Sequence, residues 1–321
     1  MADTTSSGAA GGAGGAGGGP GAGAHRSGFA CLVGRPNAGK STLTNALVGQ
    51  KVAITSSRPQ TTRHTVRGIV SRPDAQLVLV DTPGLHRPRT LLGQRLNDLV
   101  HETLAEVDVV AFCVPADQRI GPGDRFIAEA LAAAPRSAKV ALVTKTDTVP
   151  RQRVAEQLLA VTRLGDELLG GFADVVPASA VTGEQVDVVA DVLLSHLPEG
   201  PRLYPDGELT DEPEQVMIAE LVREAALEGV RDELPHSLAV VVDEQVERED
   251  GVLQLYVLLY VERESQKGIV IGRGGARLKD VGTRARRQVE ALLGTRVHLD
   301  LRVKVAKDWQ RDPKQLQRLG F

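Results

Sequence analysis

The sequence predicts an α/β unit built on a mostly parallel sheet, followed by a smaller α+β unit. Three observations carry that prediction. The chain has 321 residues, enough for two domains at roughly 100–200 residues each. From Gly28 to about Pro198, short apolar runs alternate with helix-length amphipathic segments, the pattern of βαβ units with helices on both sheet faces. Beyond the break at Leu197-Pro198-Glu199-Gly200-Pro201 the rhythm becomes helix, strand, strand, helix, helix, strand.

Residues 1–27 are almost wholly Gly, Ala, Ser and Thr. They carry too little apolar surface to offset ordering entropy and read as a disordered tail. In the first unit, 28–198, the expected strands are Phe29–Val33, Leu77–Val80, Val109–Val114, Val140–Val143 and Val175–Val176. Ligands on such sheets bind at the carboxyl ends of the strands. Residues 199–213, acidic and rich in Pro and Gly, read as a linker. The second unit, 214–321, should open with a helix from about Glu214 to Gly229. Two strands follow, Leu238–Val246 and Leu253–Glu262, joined by a hairpin-like turn at Glu249-Asp250-Gly251. A short helical segment near Ser265–Ile271, a glycine-rich turn, a long helix to about Leu293 and a strand Val297–Val305 complete it.

Hydrophobic content of 42% and a mean hydropathy of −0.11 suit globular units, and only 3% of residues are aromatic, so the cores must be aliphatic. The two cysteines, Cys31 and Cys113, stand in apolar runs. They are too few for a disulfide framework and read as buried small hydrophobes in a reducing compartment. No stretch reaches the roughly 18–20 apolar residues of a membrane span, and Met1–Ser7 lacks the charge and apolar core of a signal peptide. A cytoplasmic location is expected. Charge is asymmetric: Glu199–Asp250 holds 16 acidic and 4 basic residues, whereas Lys267–Phe321 holds 14 basic and 5 acidic. A basic end on an acidic chain points to a local polyanion site.

The chemistry begins at Gly34, Arg35, Pro36, Asn37, Ala38, Gly39, Lys40 and Ser41, with Thr42 next. This fits G-x-x-x-x-G-K-[ST], follows an apolar strand and opens an amphipathic helix, the context the motif requires. Glycines let the backbone wrap phosphate oxygens, and successive amides with the helix amino terminus present positive dipoles to them. Lys40 is placed to bridge the outer phosphates and Ser41 to bind Mg²⁺. Asp81, Thr82, Pro83 and Gly84 end a second apolar strand. Asp81 is the candidate magnesium acid, and the Gly84 amide the candidate contact to a terminal phosphate, lost after hydrolysis. Between these motifs lies the polar stretch Pro59-Gln60-Thr61-Thr62-Arg63-His64. Thr62 is favoured over Thr61 to complete the magnesium shell, though spacing alone does not decide. Lys40, Thr62 and Gly84 are the expected catalytic group, and Ser41, Thr62 and Asp81 the expected metal group.

Thr144, Lys145 and Asp147 follow the strand Val140–Val143, and Ala178, Ser179 and Ala180 lie further on. With the phosphate loop and Asp81–Gly84, the ordered set resembles that of translation-factor-class GTPases. The resemblance implies that Asp147 accepts bonds from the guanine ring NH and exocyclic amine, that the Lys145 stem covers the base, and that the Ala180 amide meets the guanine oxygen. Thr144 replaces the family's asparagine, which can bond the base and tie down the phosphate loop at once; threonine is shorter and has no amide, so nucleotide affinity is the property this departure touches. Leu85 stands where many GTPases carry a glutamine that orients the attacking water. Asn37 matches the residue that in related enzymes helps hold K⁺, which supplies positive charge in place of an arginine finger.

In the basic region, Ile271-Gly272-Arg273-Gly274-Gly275 lies between two helical segments. Helix, G-x-x-G loop, helix, then strand is the type II KH arrangement, in which glycines admit about four backbone nucleotides. Lys267, Ile271, Gly272, Arg273, Gly274, Gly275, Arg277 and Lys279 are the candidate RNA contacts. Arg284, Arg286 and Arg287 are expected to be mixed between RNA and solvent. Val270 and Leu278, and in packing terms Ile271 too, read as core. Tyr256 and Tyr260 share one strand face, on the core side or at the helix junction.

A P-loop GTPase domain joined to a KH domain resembles the Era family over Gly28–Phe321. The most specific segments are Arg58–His64, Gln266–Gly275 and Val303–Trp309. The resemblance implies a GTP-hydrolysing switch that binds GTP/GDP with Mg²⁺. It also implies binding of the 3′ end of small-subunit (16S) ribosomal RNA, help in maturing the small ribosomal subunit, and loose association with the inner face of the membrane. No obligate protein partner is evident in the sequence. The acidic stretch 199–214 is a candidate shield for the basic face in the GDP state. Two competing readings are a nucleotide-gated RNA-binding scaffold with negligible turnover, and a GTPase of transfer-RNA modification. The KH region and the lack of a cysteine near the carboxyl end weigh against the second.

Overall fold

The computed structural model describes residues 25–56, 61–85, 88, 90–132, 136–228 and 237–321. The first unit is built from β1 (Arg26–Val33), α1 (Lys40–Val48), β2 (Val66–Ser71), β3 (Ala75–Asp81), α2 (Leu91–Glu106), β4 (Val109–Pro115), α3 (Pro122–Ala132), β5 (Ala138–Thr144), α4 (Arg151–Leu169), β6 (Asp174–Pro177) and α5 (Val186–Ser195). Its six-stranded sheet runs β2-β3-β1-β4-β5-β6. Only β2, at the edge, is antiparallel to its neighbour. Each strand of a parallel sheet is covered on both sides, so its residues are apolar without alternation. Ala30 and Leu32 of β1 join the core beneath α1 and α5. Cys31 and Val33 join the core beneath α2, α3 and α4. The two cysteines are buried and free, on opposite faces of the sheet. Burial pushes the Cys113 thiol up to about 12, which leaves it inert at neutral pH.

Two differences from the sequence reading stand out here. The expected strands omit β2, whose run Val66-Arg67-Gly68-Ile69-Val70-Ser71 is short and broken by a glycine. That glycine admits α1: a Cβ on Gly68 would sit 2.7 Å from the Val48 side chain. Arg26 and Ser27, expected in the tail, belong to β1 and pair with Ala75 and Gln76 of β3; residues 1–24 of that tail lie outside the described residues.

Residues 199–213 do not hang free. Gln76, buried in β3, accepts from the amides of Leu203 and Tyr204 at 2.8 and 2.9 Å. Ile69 N–H donates to the Leu209 carbonyl at 2.9 Å, and Arg67 pairs with Asp211 at 3.0 Å. The acidic stretch thus covers the exposed edge of β2, which also protects that edge from pairing. These contacts hold it on the first unit.

The second unit comprises α6 (Glu214–Leu227), β7 (Ala239–Glu247), β8 (Leu253–Val261), α7 (Glu264–Ile271), α8 (Ala276–Leu293), β9 (Val297–Val305) and α9 (Pro313–Arg318). The expected end of the first helix, Gly229, falls outside the described residues, and the helix closes at Leu227. The sheet order is β7-β8-β9, with β7–β8 antiparallel and β8–β9 parallel. Odd positions of β8 (Leu255, Val257, Leu259, Val261) pack beneath α6 and α8. Even positions Leu258 and Tyr260 face the other way and meet Trp309, Leu316 and, from α2 of the first unit, Leu92 and Leu96. Tyr260 therefore stands at the junction between the units. Helix α9 is absent from the sequence reading, being too short to show periodicity. Asp312 caps it by accepting from Lys314 N–H at 2.9 Å.

Candidate functional site

The phosphate loop leaves β1 and turns into α1 through Gly39, whose φ of 88° suits glycine. Pro36, Asn37, Gly39, Lys40, Ser41 and Thr42 line a cleft with Thr55, Ser56, Thr61, Thr62 and Gly84. Lys40 is buried, and its ammonium donates to the carbonyls of Gly34 and Arg35 at 3.3 Å each. Burial lowers its pKa, opposed by the Asp81 carboxylate. Ser41 Oγ donates to Asp81 Oδ2 at 2.6 Å and lies 3.0 Å from Thr62 Oγ1, which is itself 3.2 Å from Asp81 Oδ2. Burial raises the Asp81 pKa, with Lys40 and both hydroxyls opposing. Its Oδ1 is buried with no hydrogen-bond partner. Two hydroxyls and a buried carboxylate with a spare oxygen fit a hard cation that keeps several waters and takes the rest of its shell from phosphate. Thr62, not Thr61, joins this cluster; Thr61 instead gives its carbonyl to Arg223 of α6.

Thr82 Oγ1 donates to the Leu32 carbonyl at 2.8 Å and so ties the end of β3 to β1. Gly84 lies against the phosphate loop: a Cβ there would meet Pro36 N at 3.0 Å. Only glycine permits that approach without displacing the loop. Arg35 is turned away from the cleft. Its Nε donates to the buried Asp124 of α3 at 2.7 Å, so its side chain buttresses the loop from outside.

A second cavity, of about 290 Å³, flanks the same loop. It is lined by Gly39, Thr42, Thr144, Lys145, Asp147 and Ala180, among others, and by Asp117. Asp147 accepts from Ser179 Oγ at 2.6 Å, which fixes its carboxylate. Lys145 takes a left-handed φ of 58° and lies 3.9 Å from Asp117. Asp117 escaped the sequence reading because it stands in a loop after β4 with no motif around it.

In the second unit, the G-x-x-G turn joins α7 to α8. Gly274 and Gly275 have φ of 59° and 80°, and a Cβ added at either would meet nothing within 4 Å, so their backbone faces open space. Arg273 and Lys279 are exposed, and Lys267 and Ile271 half-buried. Val270 is core and Leu278 packs against it. Arg277 turns back: its guanidinium donates to the carbonyls of Ala226 and Glu228 at 3.3 and 2.9 Å. Arg284 pairs with Glu228 and Asp280, while Arg286 and Arg287 are exposed. Ile269, 52% exposed beside the turn, has no motif to mark it in the sequence.

A family model described as "50S ribosome-binding GTPase" matches residues 29–145, and one described as "KH domain" matches residues 233–310. The chain is 69% identical over 299 residues to the GTPase Era of Mycolicibacterium smegmatis, covering 92% of this chain and 99% of the relative. It is 69% identical over 302 residues to GTPase Era of Streptomyces coelicolor, covering 92% and 95%. The chain belongs to the Era family of GTPases. A solved Era, in complex with MgGDPNP and nucleotides 1506–1542 of 16S ribosomal RNA, superposes with a TM-score of 0.87 at 34% identity, over 92% of this chain and 99% of that one. A variant of Aquifex aeolicus Era bound to GDP and AlF4⁻ gives the same TM-score, identity and coverage.

The two departures from the GTPase pattern now have a structural reading in this Era-family chain. Leu85 is 3% exposed and packs in the core beneath α2 and α3. Thr144 keeps one of the two tasks of an asparagine: its hydroxyl donates to the Ala38 carbonyl in the phosphate loop at 2.6 Å. Helix α6 carries the other residues that the sequence reading missed. Glu224 accepts from Thr55 N–H at 2.8 Å and from Thr55 Oγ1 at 3.2 Å, and pairs with Lys51. Arg223, held by Glu220 at 2.6 Å, donates to the Thr61 carbonyl. Glu224 and Arg223 are 4% and 1% exposed. Three charges inside the otherwise apolar helix Met217–Leu227 were the signal available in the sequence. Arg63 donates to the Leu238 carbonyl at 2.7 Å, and His64 stacks on Phe321 at 4.9 Å.

Proposed function

We propose that this chain is a GTP-hydrolysing switch whose KH unit binds the 3′ end of small-subunit ribosomal RNA and assists small-subunit assembly. The family description names the large subunit, but the solved Era carries 16S RNA, which favours the small subunit. The observation that carries the reading is the junction. Thr62 lies in the phosphate cleft, while its neighbours Thr61, Arg63 and His64 are gripped by the second unit.

In this reading Gly34–Thr42 bind the phosphates, with Lys40 on the outer ones. Ser41, Thr62 and Asp81 hold Mg²⁺, which neutralises phosphate charge. Gly84 offers its amide to the terminal phosphate. Asp147, set by Ser179, reads the guanine edge; Lys145 covers the base and Ala180 meets its oxygen. Asn37 contributes to a K⁺ site that supplies charge where Leu85 cannot orient water. Turnover in K⁺ several-fold above that in Na⁺ is expected; equal rates sink the K⁺ assignment. Gly274 and Gly275 admit the RNA backbone, Gly272 makes room for Arg277, whose Cβ would lie 2.6 Å from a Cβ placed there, and Arg273, Lys279 and Lys267 add charge, with Ile271 beside them. The work belongs to the cytoplasm. Among the described residues no helix is long and apolar enough to cross a membrane.

Switch and RNA site are linked through α6. Its middle holds Thr55 through Glu224 and Thr61 through Arg223, and its end, Ala226 and Glu228, holds Arg277 and Arg284 beside the G-x-x-G turn. By linkage RNA and GTP must then favour each other's binding by the same factor. The test is the affinity for a small-subunit 3′-end RNA in the presence of GDPNP and of GDP. Tighter binding with GDPNP is expected, and equal affinities remove the coupling. If RNA binds well while turnover stays negligible under all conditions, the buried Leu85 favours the scaffold reading instead.

A further inference from the structure

We propose that Thr144 is a positioning residue that binds the phosphate loop and leaves N7 of the guanine unread, so that base selection rests on Asp147 and Ala180. The inference deepens the guanine-nucleotide reading above and rests on it. An asparagine side chain has two amide protons, one for a loop carbonyl and one for a ring nitrogen; a threonine hydroxyl has one. Thr144 is 4% exposed, and its Oγ1 lies 2.6 Å from the Ala38 carbonyl oxygen. A carbonyl only accepts, so the single hydroxyl proton is committed to that bond. What Oγ1 has left are lone pairs, and N7 is itself an acceptor, so the two cannot bond.

The rest of the cavity fixes which atom is affected. Ser179 Oγ holds Asp147 Oδ1 at 2.6 Å and so orients the carboxylate toward the ring NH and exocyclic amine. Ala180, which lines the same cavity, serves the guanine oxygen. The next acceptor around the ring is N7, and Thr144 and Gly39 of the phosphate loop line the same cavity. The consequence is a chain that anchors its phosphate loop to β5 through Thr144 while tolerating changes at one position of the base.

The test measures affinities of the full chain with Mg²⁺ for GDP, 7-deaza-GDP and IDP, in the parent, Thr144→Asn and Thr144→Val. In the parent, 7-deaza-GDP should bind within about twofold of GDP, because no hydrogen bond to N7 is lost. Thr144→Asn should restore discrimination, with 7-deaza-GDP roughly three- to tenfold weaker than GDP, the scale of one hydrogen bond. Thr144→Val should weaken GDP and 7-deaza-GDP by the same factor, having lost only the loop tie. A parent that rejects 7-deaza-GDP by tenfold or more overturns the proposal, as does Thr144→Val binding GDP like the parent. IDP reports on the underlying reading separately: it lacks the exocyclic amine, and IDP binding as tightly as GDP overturns the assignment of Asp147 whatever 7-deaza-GDP does.

Discussion

Asp81 is the buried acid of the candidate phosphate cleft. It is fully buried, its Oδ2 receives two hydroxyls and its Oδ1 has no partner. Asp81→Asn keeps the shape and removes the charge, and should cut GTP turnover by roughly 100-fold, the scale of several kcal/mol of lost metal positioning; unchanged single-turnover rates contradict it. Leu85→Gln tests the opposite intuition. Restoring a glutamine puts an amide where Leu85 packs at 3% exposure, which should cost about 2–3 kcal/mol in urea unfolding with no rise in turnover. His64 gives a pH signature. Burial lowers its pKa, Arg223 and Arg63 add to the shift, and Glu220 opposes it. The unfolded chain takes the proton near pH 6.5, so the packed neutral ring contributes fully above that value. Its contribution is lost as pH falls from about 6.5 toward the lower folded value. His64→Gln should flatten stability below pH 6.5, and an unaltered pH profile rules this out. Asp81, Lys40 and Asp147 were legible as candidates because each stands at a fixed offset from a strand end. Arg35 was not: its backbone belongs to the phosphate loop, but the partner of its side chain, Asp124, is 89 residues away.

Helix α6 is the element where sequence pattern and structure part most. Periodicity gave its start at Glu214, and its apolar face packs on β8 as amphipathic helices do. The other side packs too, against Lys51, Thr55 and Thr61, and the charges there pair across the junction. Nothing local to the helix announces that partner. Glu224→Gln keeps a hydrogen-bond acceptor for Thr55 but removes the ion pair with Lys51. It should leave basal turnover intact while reducing several-fold the preference of RNA for the GDPNP state, within the 1–3 kcal/mol or so typical of coupling energies. An unchanged preference, measured by RNA titration in both nucleotide states, would show that α6 does not transmit. The G-x-x-G turn was readable for the reverse reason: a φ of 59° at Gly274 with open space around it is a local demand that the sequence meets locally. Gly274→Asp should fold, since aspartate visits that region at about 1–2 kcal/mol, and should weaken RNA binding by about tenfold or more through repulsion of the phosphates.

At the scale of the whole molecule, two units that the sequence separates form one mechanical object. Leu92 and Leu96 of α2 share a core with Tyr260, Trp309 and Leu316, and Ile54 joins the core of the second unit. Fold class follows from βαβ alternation, but the strand order, with its antiparallel edge strand β2, and the docking of the units rest on contacts far apart in sequence, which periodicity does not report. The junction is the ground for the proposed coupling of nucleotide state to RNA affinity. The most direct measurement is GTP turnover in K⁺ buffer with and without RNA carrying a small-subunit 3′ end, for the parent and Gly274→Asp. A coupled switch predicts that RNA accelerates turnover in the parent and not in the variant. Turnover in the parent that RNA binding leaves unchanged would contradict it.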